Sequence, residues 1–341
     1  MLDQDGAHLR AMADATPKGC RRGLLVLLPL VLLPRPTAAQ ESYPDRPIRV
    51  IVPFAPGGSL DVLTRIVCEG LQHRLGQPVL VENRPGAGGN IGTDIVAKSP
   101  PDGYNLGSVS VGLLSINQFL YSRMPFDADR ELTSISLIYD LPNVAVVPAQ
   151  HNPSKTLAEF IAWARAQPQG ITFGSPGVGT SPHLAGALLA ARAGYTGVHV
   201  PFRGAAQTVP ALLSGSVDFA IDNLASYIPV IQEGRMRALA VTSAERWPTL
   251  PDVPTMAEAG TPDFVVTSWA SFVAPFATPA PIIRKLNAAL RQVMADPELQ
   301  QRMLHAGGRA LWTTPEDAQA RALRERPMWQ EMVRISGARA D

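Results

Sequence analysis

Two clusters of glycine, hydroxyl and carboxyl residues sit where an apolar run gives way to a helical pattern. The first, Pro53-Phe54-Ala55-Pro56-Gly57-Gly58-Ser59-Leu60-Asp61, follows the strand-like run Ile48 to Val52. Gly57 and Gly58 let backbone approach a ligand closely, Ser59 suits a helix cap, and Asp61 falls in the first turn. Bare N–H groups at a helix N-terminus favour an anion, so the loop reads either as an anion cradle or as a plain glycine turn with a serine cap. The second cluster, Ser175-Pro176-Gly177-Val178-Gly179-Thr180-Ser181-Pro182-His183, follows Ile171-Thr172-Phe173-Gly174 and carries more donors than capping requires. One device used twice points to a single ligand held between two lobes.

His183 also invites a secreted Ser/His hydrolase, with Ser175 or Ser181 as nucleophile and Asp218 or Asp222 completing a triad. No Gly-x-Ser-x-Gly elbow surrounds any serine, which weakens that reading. Asp222-Asn223 ends the apolar run Val217 to Ile221, the strand edge where open α/β sheets place ligands; a turn Asx pair is the alternative. The Walker phosphate loop is absent, and Gly86-Ala87-Gly88-Gly89-Asn90-Ile91 has isoleucine where a dinucleotide fingerprint needs its third glycine, so no nucleotide cofactor is expected. The six histidines show no metal-ligand spacing, and no metal is expected.

The elements that must position these residues alternate. Strand-like and helix-like runs succeed one another from Ile48 to Tyr121, including a helical pattern over Leu113 to Tyr121, and again from Thr156 to Thr242. This predicts parallel sheets wrapped by helices. Two strand-like runs within Ser134 to Val147, separated by Asp140-Leu141-Pro142-Asn143, and the apolar run Phe264 to Ala274 read as two crossings between lobes. The expected division is residues 40–142 with 263–341 as one lobe and 143–262 as the other. Pro315 to Gly337 reads as a charged surface helix, kinked or split at Pro327.

With 46% hydrophobic residues in 341, the chain can bury a sizeable core, and a net charge of +1 without basic stripes argues against nucleic acid. Arg21-Arg22, the apolar run Leu24 to Leu33 and Thr37-Ala38-Ala39 predict a signal peptide over residues 1–39, cleaved after Ala39; Met12 is an alternative start. The apolar run falls short of the roughly twenty residues a membrane span needs. Cys20 precedes that run and leaves with it, so no lipid anchor and no internal disulfide are expected; Cys68, on the face of Leu60, Leu63, Val67 and Leu71, is expected to be buried and structural.

Several motifs together resemble the Bug/TctC family, extracytoplasmic solute receptors of tripartite tricarboxylate transport. They are Tyr43-Pro44-Asp45-Arg46-Pro47-Ile48, Pro56-Gly57-Gly58-Ser59 with Asp61, Glu82-Asn83-Arg84-Pro85-Gly86-Ala87-Gly88-Gly89 and Ala97-Lys98-Ser99-Pro100-Pro101-Asp102-Gly103-Tyr104. The likeness continues through Ser175 to Gly186, Val200-Pro201-Phe202-Arg203-Gly204, Asp222-Asn223-Leu224, Ala238 to Ser243 and Leu250 to Thr255. It implies an α/β, two-lobed periplasmic binding protein fold, type II-like, with the ligand cleft between lobes. It also implies a monomeric, periplasmic binding protein rather than an enzyme, with no cofactor, delivering a small carboxylated solute to the permease subunits of a tripartite tricarboxylate transporter. A role as ligand sensor for a signalling partner is the remaining alternative.

The family's carboxylate is held by backbone N–H groups, hydroxyls and waters from loops that match Gly57, Gly58, Ser59 and Ser175 to Thr180. The expected ligand set is Phe54, Gly57, Gly58, Ser59, Asp61, Ser110, Ser175, Gly177, Gly179, Thr180, His183 and Asp222. Leu60 and Val109-Ser110-Val111-Gly112 are less polar than the family's usual residues, which implies a less polar ligand tail. An amino group on the ligand would seek Asp61 or Asp222, and the solute's identity stays open.

Overall fold

Burial follows the alternation in the sequence. In chain order the elements are β1 (Ile48–Val52), α1 (Ser59–Leu75), β2 (Val79–Asn83), α2 (Asn90–Ala97), β3 (Asn105–Ser110), α3 (Ala128–Glu131), β4 (Leu132–Pro148), α4 (Leu157–Arg165), β5 (Ile171–Ser175) and α5 (Ser181–Ala193). They continue with β6 (Gly197–Pro201), α6 (Ala205–Leu213), β7 (Phe219–Asn223), α7 (Ile228–Gln232), β8 (Met236–Val241), β9 (Thr267–Pro275), α8 (Ala280–Met294), α9 (Pro297–His305), β10 (Arg309–Ala310) and α10 (Pro315–Ser336). This computed structural model describes residues 43–340; the expected signal peptide, Met12 and Cys20 lie outside them.

The strands join in the order β2-β1-β3-β9-β4-β7-β5-β6, with β8 and β10 also on β4. β1 pairs in parallel with β2 and β3, and β5 in parallel with β6 and β7, so each lobe has its own parallel unit wrapped by helices. The loops that follow β1 and β5 both lie at carboxyl ends of parallel strands, where α/β folds place ligands. Cys68 is buried, as expected, and burial pushes its thiol up, far from a reactive thiolate.

The expected break at Asp140 to Asn143 is not there. β4 runs unbroken for 17 residues, pairing with β9 from Leu132 to Pro142 and with β7 and β8 from Asn143 onward. Pro142 sits where β4 exchanges one set of neighbours for the other, so its missing N–H disturbs no continuous ladder. The chain returns through Val266, whose N–H donates to Thr242 O at 3.0 Å, into β9.

Two further expectations are corrected. Leu113 to Tyr121 forms no α-helix but a π-type turn over Gly112–Ile116 passing into a 3₁₀ turn over Asn117–Phe119. α10 is neither split at Pro327 nor merely superficial. It buries Ala318, Ala322, Trp329, Met332 and Val333 and packs against α5, β4 and the Gly112–Ile116 turn. Leu323, four residues before the proline, is 45% exposed, so the carbonyl that Pro327 leaves unpaired is on the solvated side. Among the described residues no helix is long and apolar enough to cross a membrane.

Candidate functional site

The first wall of the site is the turn from β1 to α1. Gly57 takes φ +80°, and Gly58 at the helix N-cap offers no side chain to the first-turn N–H groups. Asp61 holds the turn from inside: Oδ2 accepts from Gly57 N–H at 2.9 Å, and Oδ1 accepts from Arg65 Nε at 3.0 Å and Asn83 Nδ2 at 2.9 Å. Asn83 Nδ2 also donates to Phe54 O at 3.0 Å. Burial works against the charge of Asp61, but the hydrogen bonds from Arg65, Gly57 and Asn83 outweigh it and keep the carboxyl below its ordinary range. The N–H of Gly57 is therefore committed to Asp61 rather than presented to the cleft.

The second wall is the turn from β5 to α5. Thr180 Oγ1 caps α5 by accepting from His183 N–H and donates to Gly177 O at 2.8 Å. Behind this turn Ser175 Oγ is 2.7 Å from His199 Nε2 and accepts from Gly177 N–H at 3.2 Å. His183 Nδ1 accepts from Gly179 N–H at 3.3 Å, and its ring stacks on His199 with centroids 3.8 Å apart. Burial, with His199 beside it, pushes His183 down to about 3, and burial pushes His199 down to about 4, so both are neutral imidazoles.

No catalytic triad assembles from these parts. Ser175 is fully buried and pairs with His199 rather than His183. Asp218 is bonded to Thr172 N–H at 2.8 Å and Thr172 Oγ1 at 2.7 Å. Asp222 accepts from Asn223 N–H at 2.7 Å and from Tyr227 Oη at 2.9 Å. Among the described residues neither carboxylate bonds a histidine, so the Ser/His/Asp arrangement that hydrolysis needs is not formed.

Between the walls lies a cleft of about 570 Å³, its open mouth included. Of the expected ligand set, Phe54, Gly58, Ser59, Asp61, Ser110, Thr180 and Asp222 line it. Gly57, Ser175, Gly179 and His183 do not; they shape the turns from behind. Gly177 faces a neighbouring cavity instead. The lobes meet directly where Ser59 Oγ and Ser226 Oγ stand 2.7 Å apart. A Cβ at Gly179 would lie 2.5 Å from Leu120 Cδ1 and 2.7 Å from Asn117 Oδ1, so the seam between lobes closes on glycine.

Asp222 is fully buried, and burial pushes its carboxyl up to about 7 despite its two hydrogen bonds. Nearby, Ser181 Oγ and Asn223 Oδ1 are buried without a hydrogen-bond partner among the described residues. Unpartnered polar atoms on a cavity wall are the groups a ligand can satisfy. Among the described residues no Arg, Lys or His lines the cleft, so an anion there meets dipoles rather than a cation from them. The sequence reading missed Tyr139, Ser226 and Ser268. Ser226 lies just past the Asp222-Asn223 pair that was recognised, whereas Tyr139 arrives from the middle of β4 and Ser268 from the start of β9, with no local signal.

The family model described as "Tripartite tricarboxylate transporter family receptor" matches residues 63–333. A protein from the tcbD-tcbE intergenic region of Pseudomonas sp. (strain P51) is 40% identical over 92% of this chain and 94% of its own. BugT of Bordetella pertussis is 37% identical over 88% and 92%. Among solved structures, R. palustris Rpa4515 with adipate superposes with TM-score 0.84 at 32% identity, covering 86% of this chain and 98% of that one. The periplasmic binding protein BugD gives 0.82 at 34% identity, covering 87% and 99%, and MatC from Rhodopseudomonas palustris with bound malate gives 0.79 at 31%, covering 85% and 100%. The two-lobed α/β architecture is thus that of the periplasmic binding proteins, and the chain belongs to the Bug/TctC family of tripartite tricarboxylate transporter receptors.

Proposed function

We propose that this protein captures a small carboxylate-bearing solute in the periplasm, within the cleft between Ser59 and Thr180, and delivers it to the permease subunits of a tripartite tricarboxylate transporter. The observation that carries the reading is a cleft built from both lobes, in which an α1 N-terminus without a side-chain cap faces the unpartnered Ser181 hydroxyl, with no cation on its walls among the described residues. A carboxylate accepts from N–H groups and hydroxyls, and Phe54, Leu60 and Pro182 supply an apolar side for the rest of the solute. The bound adipate and malate of the R. palustris relatives support an acidic solute here.

In this reading residues 1–39 are the export signal, residues 40–142 with 263–341 form one lobe, and residues 143–262 form the other. The mature protein works as a monomer. Ligand favours the closed state because only there do both walls reach it, and a permease reads that state.

The test is thermal melting of residues 40–341 across mono-, di- and tricarboxylates, aromatic acids and amino acids. A ligand at a hundredfold excess over its Kd adds about 2.7 kcal/mol, enough to move the midpoint. The expected result is a shift with one class of acid, lost in Ser59→Ala and Thr180→Ala, with compaction in solution scattering. No shift with any acid, on folded and ligand-stripped protein, would overturn it.

A further inference from the structure

β4 and β9 are the two crossings between the lobes, so where they meet the cleft they form its closed end. Tyr139 and Ser268 are the residues they present there. In the antiparallel register Ser268 stands opposite Leu141 and Tyr139 opposite Ala270, so the two side chains share one face of the sheet as diagonal neighbours. Both residues are almost wholly buried. Among the described residues neither hydroxyl has a hydrogen-bond partner, and neither belongs to the unpartnered polar atoms sealed inside the protein, so each opens on the cleft that its residue lines.

A hydroxyl held this deep without a partner is costly unless a ligand supplies one. Burial, with Asp140 beside it, pushes the Tyr139 hydroxyl far up, so it stays protonated and keeps a donor for the cleft. Its ring belongs to the same packed core as Val50, Leu106 and Phe272, which fixes where that donor points. The acid of a solute is drawn to the α1 N-terminus, whereas the closed end offers hydroxyls, and the charged groups lining the cleft, Asp61 and Asp222, are both acidic. A second carboxylate at the closed end would be a charge buried without a cation, but an uncharged hydroxyl can accept from Tyr139 and donate in turn.

We propose that Tyr139 is the specificity-determining residue of the cleft, and that it selects a monocarboxylate whose far end carries an uncharged hydroxyl, with Ser268 as that group's second partner. This rests on the receptor reading above and narrows its substrate class. The selecting groups stand on the crossing strands rather than on either glycine turn, so the turns hold the acid and the closed end reads what is attached to it.

The experiment is calorimetric titration of residues 40–341 with three unbranched series of increasing length, plain monocarboxylates, their terminal hydroxy acids and the diacids of equal carbon number, in the unsubstituted protein and in Tyr139→Phe. Y139F removes one oxygen and keeps the buried ring, so the core stays packed. The expected result is a preference of about tenfold or more for the hydroxy acid over the plain acid at one chain length, the scale of one hydrogen bond left unmade in a buried site. Most of that factor should vanish in Y139F while the plain acid binds as before, an outcome that a merely structural role for the ring would not give. Equal binding of hydroxy and plain acids in the unsubstituted protein overturns the assignment, as does a preference that survives Y139F or a diacid that binds tightest at every length. Failure of every acid to bind would instead overturn the receptor reading itself.

Discussion

Asp61 and Asp222 face the same cleft from opposite lobes, and both are almost wholly buried, yet their surroundings give them opposite chemistry. Asp61 accepts from Arg65, Asn83 and Gly57, one of them a cation, so it stays charged. Asp222 accepts only from a backbone N–H and a tyrosine hydroxyl, meets no cation, and is pushed up to about 7. A buried carboxylate with a full set of donors is a structural post, whereas one short of donors is a group whose protonation a ligand can change. An anionic solute therefore meets a fixed negative charge behind one wall and an adjustable one in the other.

The largest expected effect comes from removing the post. Asp61→Ala leaves Gly57 N–H and Asn83 Nδ2 without their acceptor and frees the turn that carries Gly58 and Ser59. Unfolding in urea should show a loss of about 2–3 kcal/mol, and acid binding should weaken on the order of a hundredfold or beyond detection. Asp222→Asn keeps an acceptor for Tyr227 and removes a buried charge that costs stability above about pH 7, so stability at pH 8 should hold or rise. Similar losses in the two variants would erase the distinction between post and adjustable group.

Next in size is a block of the seam that brings the two carboxylates to one cleft. At Gly179, with φ +81°, a Cβ would collide with Leu120 and Asn117 across the lobes. Gly179→Ala should weaken acid binding about tenfold or more, a loss of about 1.4 kcal/mol, and scattering should show a protein that no longer compacts with ligand. Unchanged compaction would mean that closure does not run through this contact.

A third effect is a pH dependence confined to Asp222. An anion bound beside it raises its pKa further, so binding takes up part of a proton and affinity falls as pH rises through about 7. Titrations with one acid at pH 6 and pH 8 should differ by up to about tenfold, and Asp222→Asn should bind almost equally at both. An affinity that rises with pH would instead point to a cationic group on the solute, paired with ionised Asp222.

The sequence showed the two strand-to-helix turns because glycine, serine and aspartate at such junctions are local signals. It did not show that Asp61 turns inward, because Asn83 reaches it from β2 through tertiary packing. Tyr139 and Ser268 were invisible for a related reason: the middle of β4 and the start of β9 reach the cleft only once both crossings exist. His199 escaped notice because it faces His183 through the parallel register that sets Phe173 against it on β5 and β6. The two misread prolines follow the same logic. Pro142 sits at a change of strand partners and Pro327 within a helix anchored by Trp329, so tertiary context outweighed the local rule.

The smallest effect separates two opposed titrations within the second lobe of the empty protein. His183 and His199 have folded pKa values below the unfolded value near 6.5, so the unfolded chain binds more protons and stability is lost as pH falls from about 6.5 toward about 4. Asp222 has the opposite sign: its folded pKa lies above the unfolded value near 3.9, so stability is lost as pH rises from about 4 to about 7. In the unsubstituted protein the two histidines outweigh the single carboxyl over the same range, so urea midpoints should climb modestly between pH 4.5 and 6.5. Asp222→Asn should steepen the climb, while His199→Gln, which leaves buried His183 alone against Asp222, should flatten it. Parallel curves in the two variants would mean that the carboxyl and the stacked imidazoles do not titrate as their burial requires.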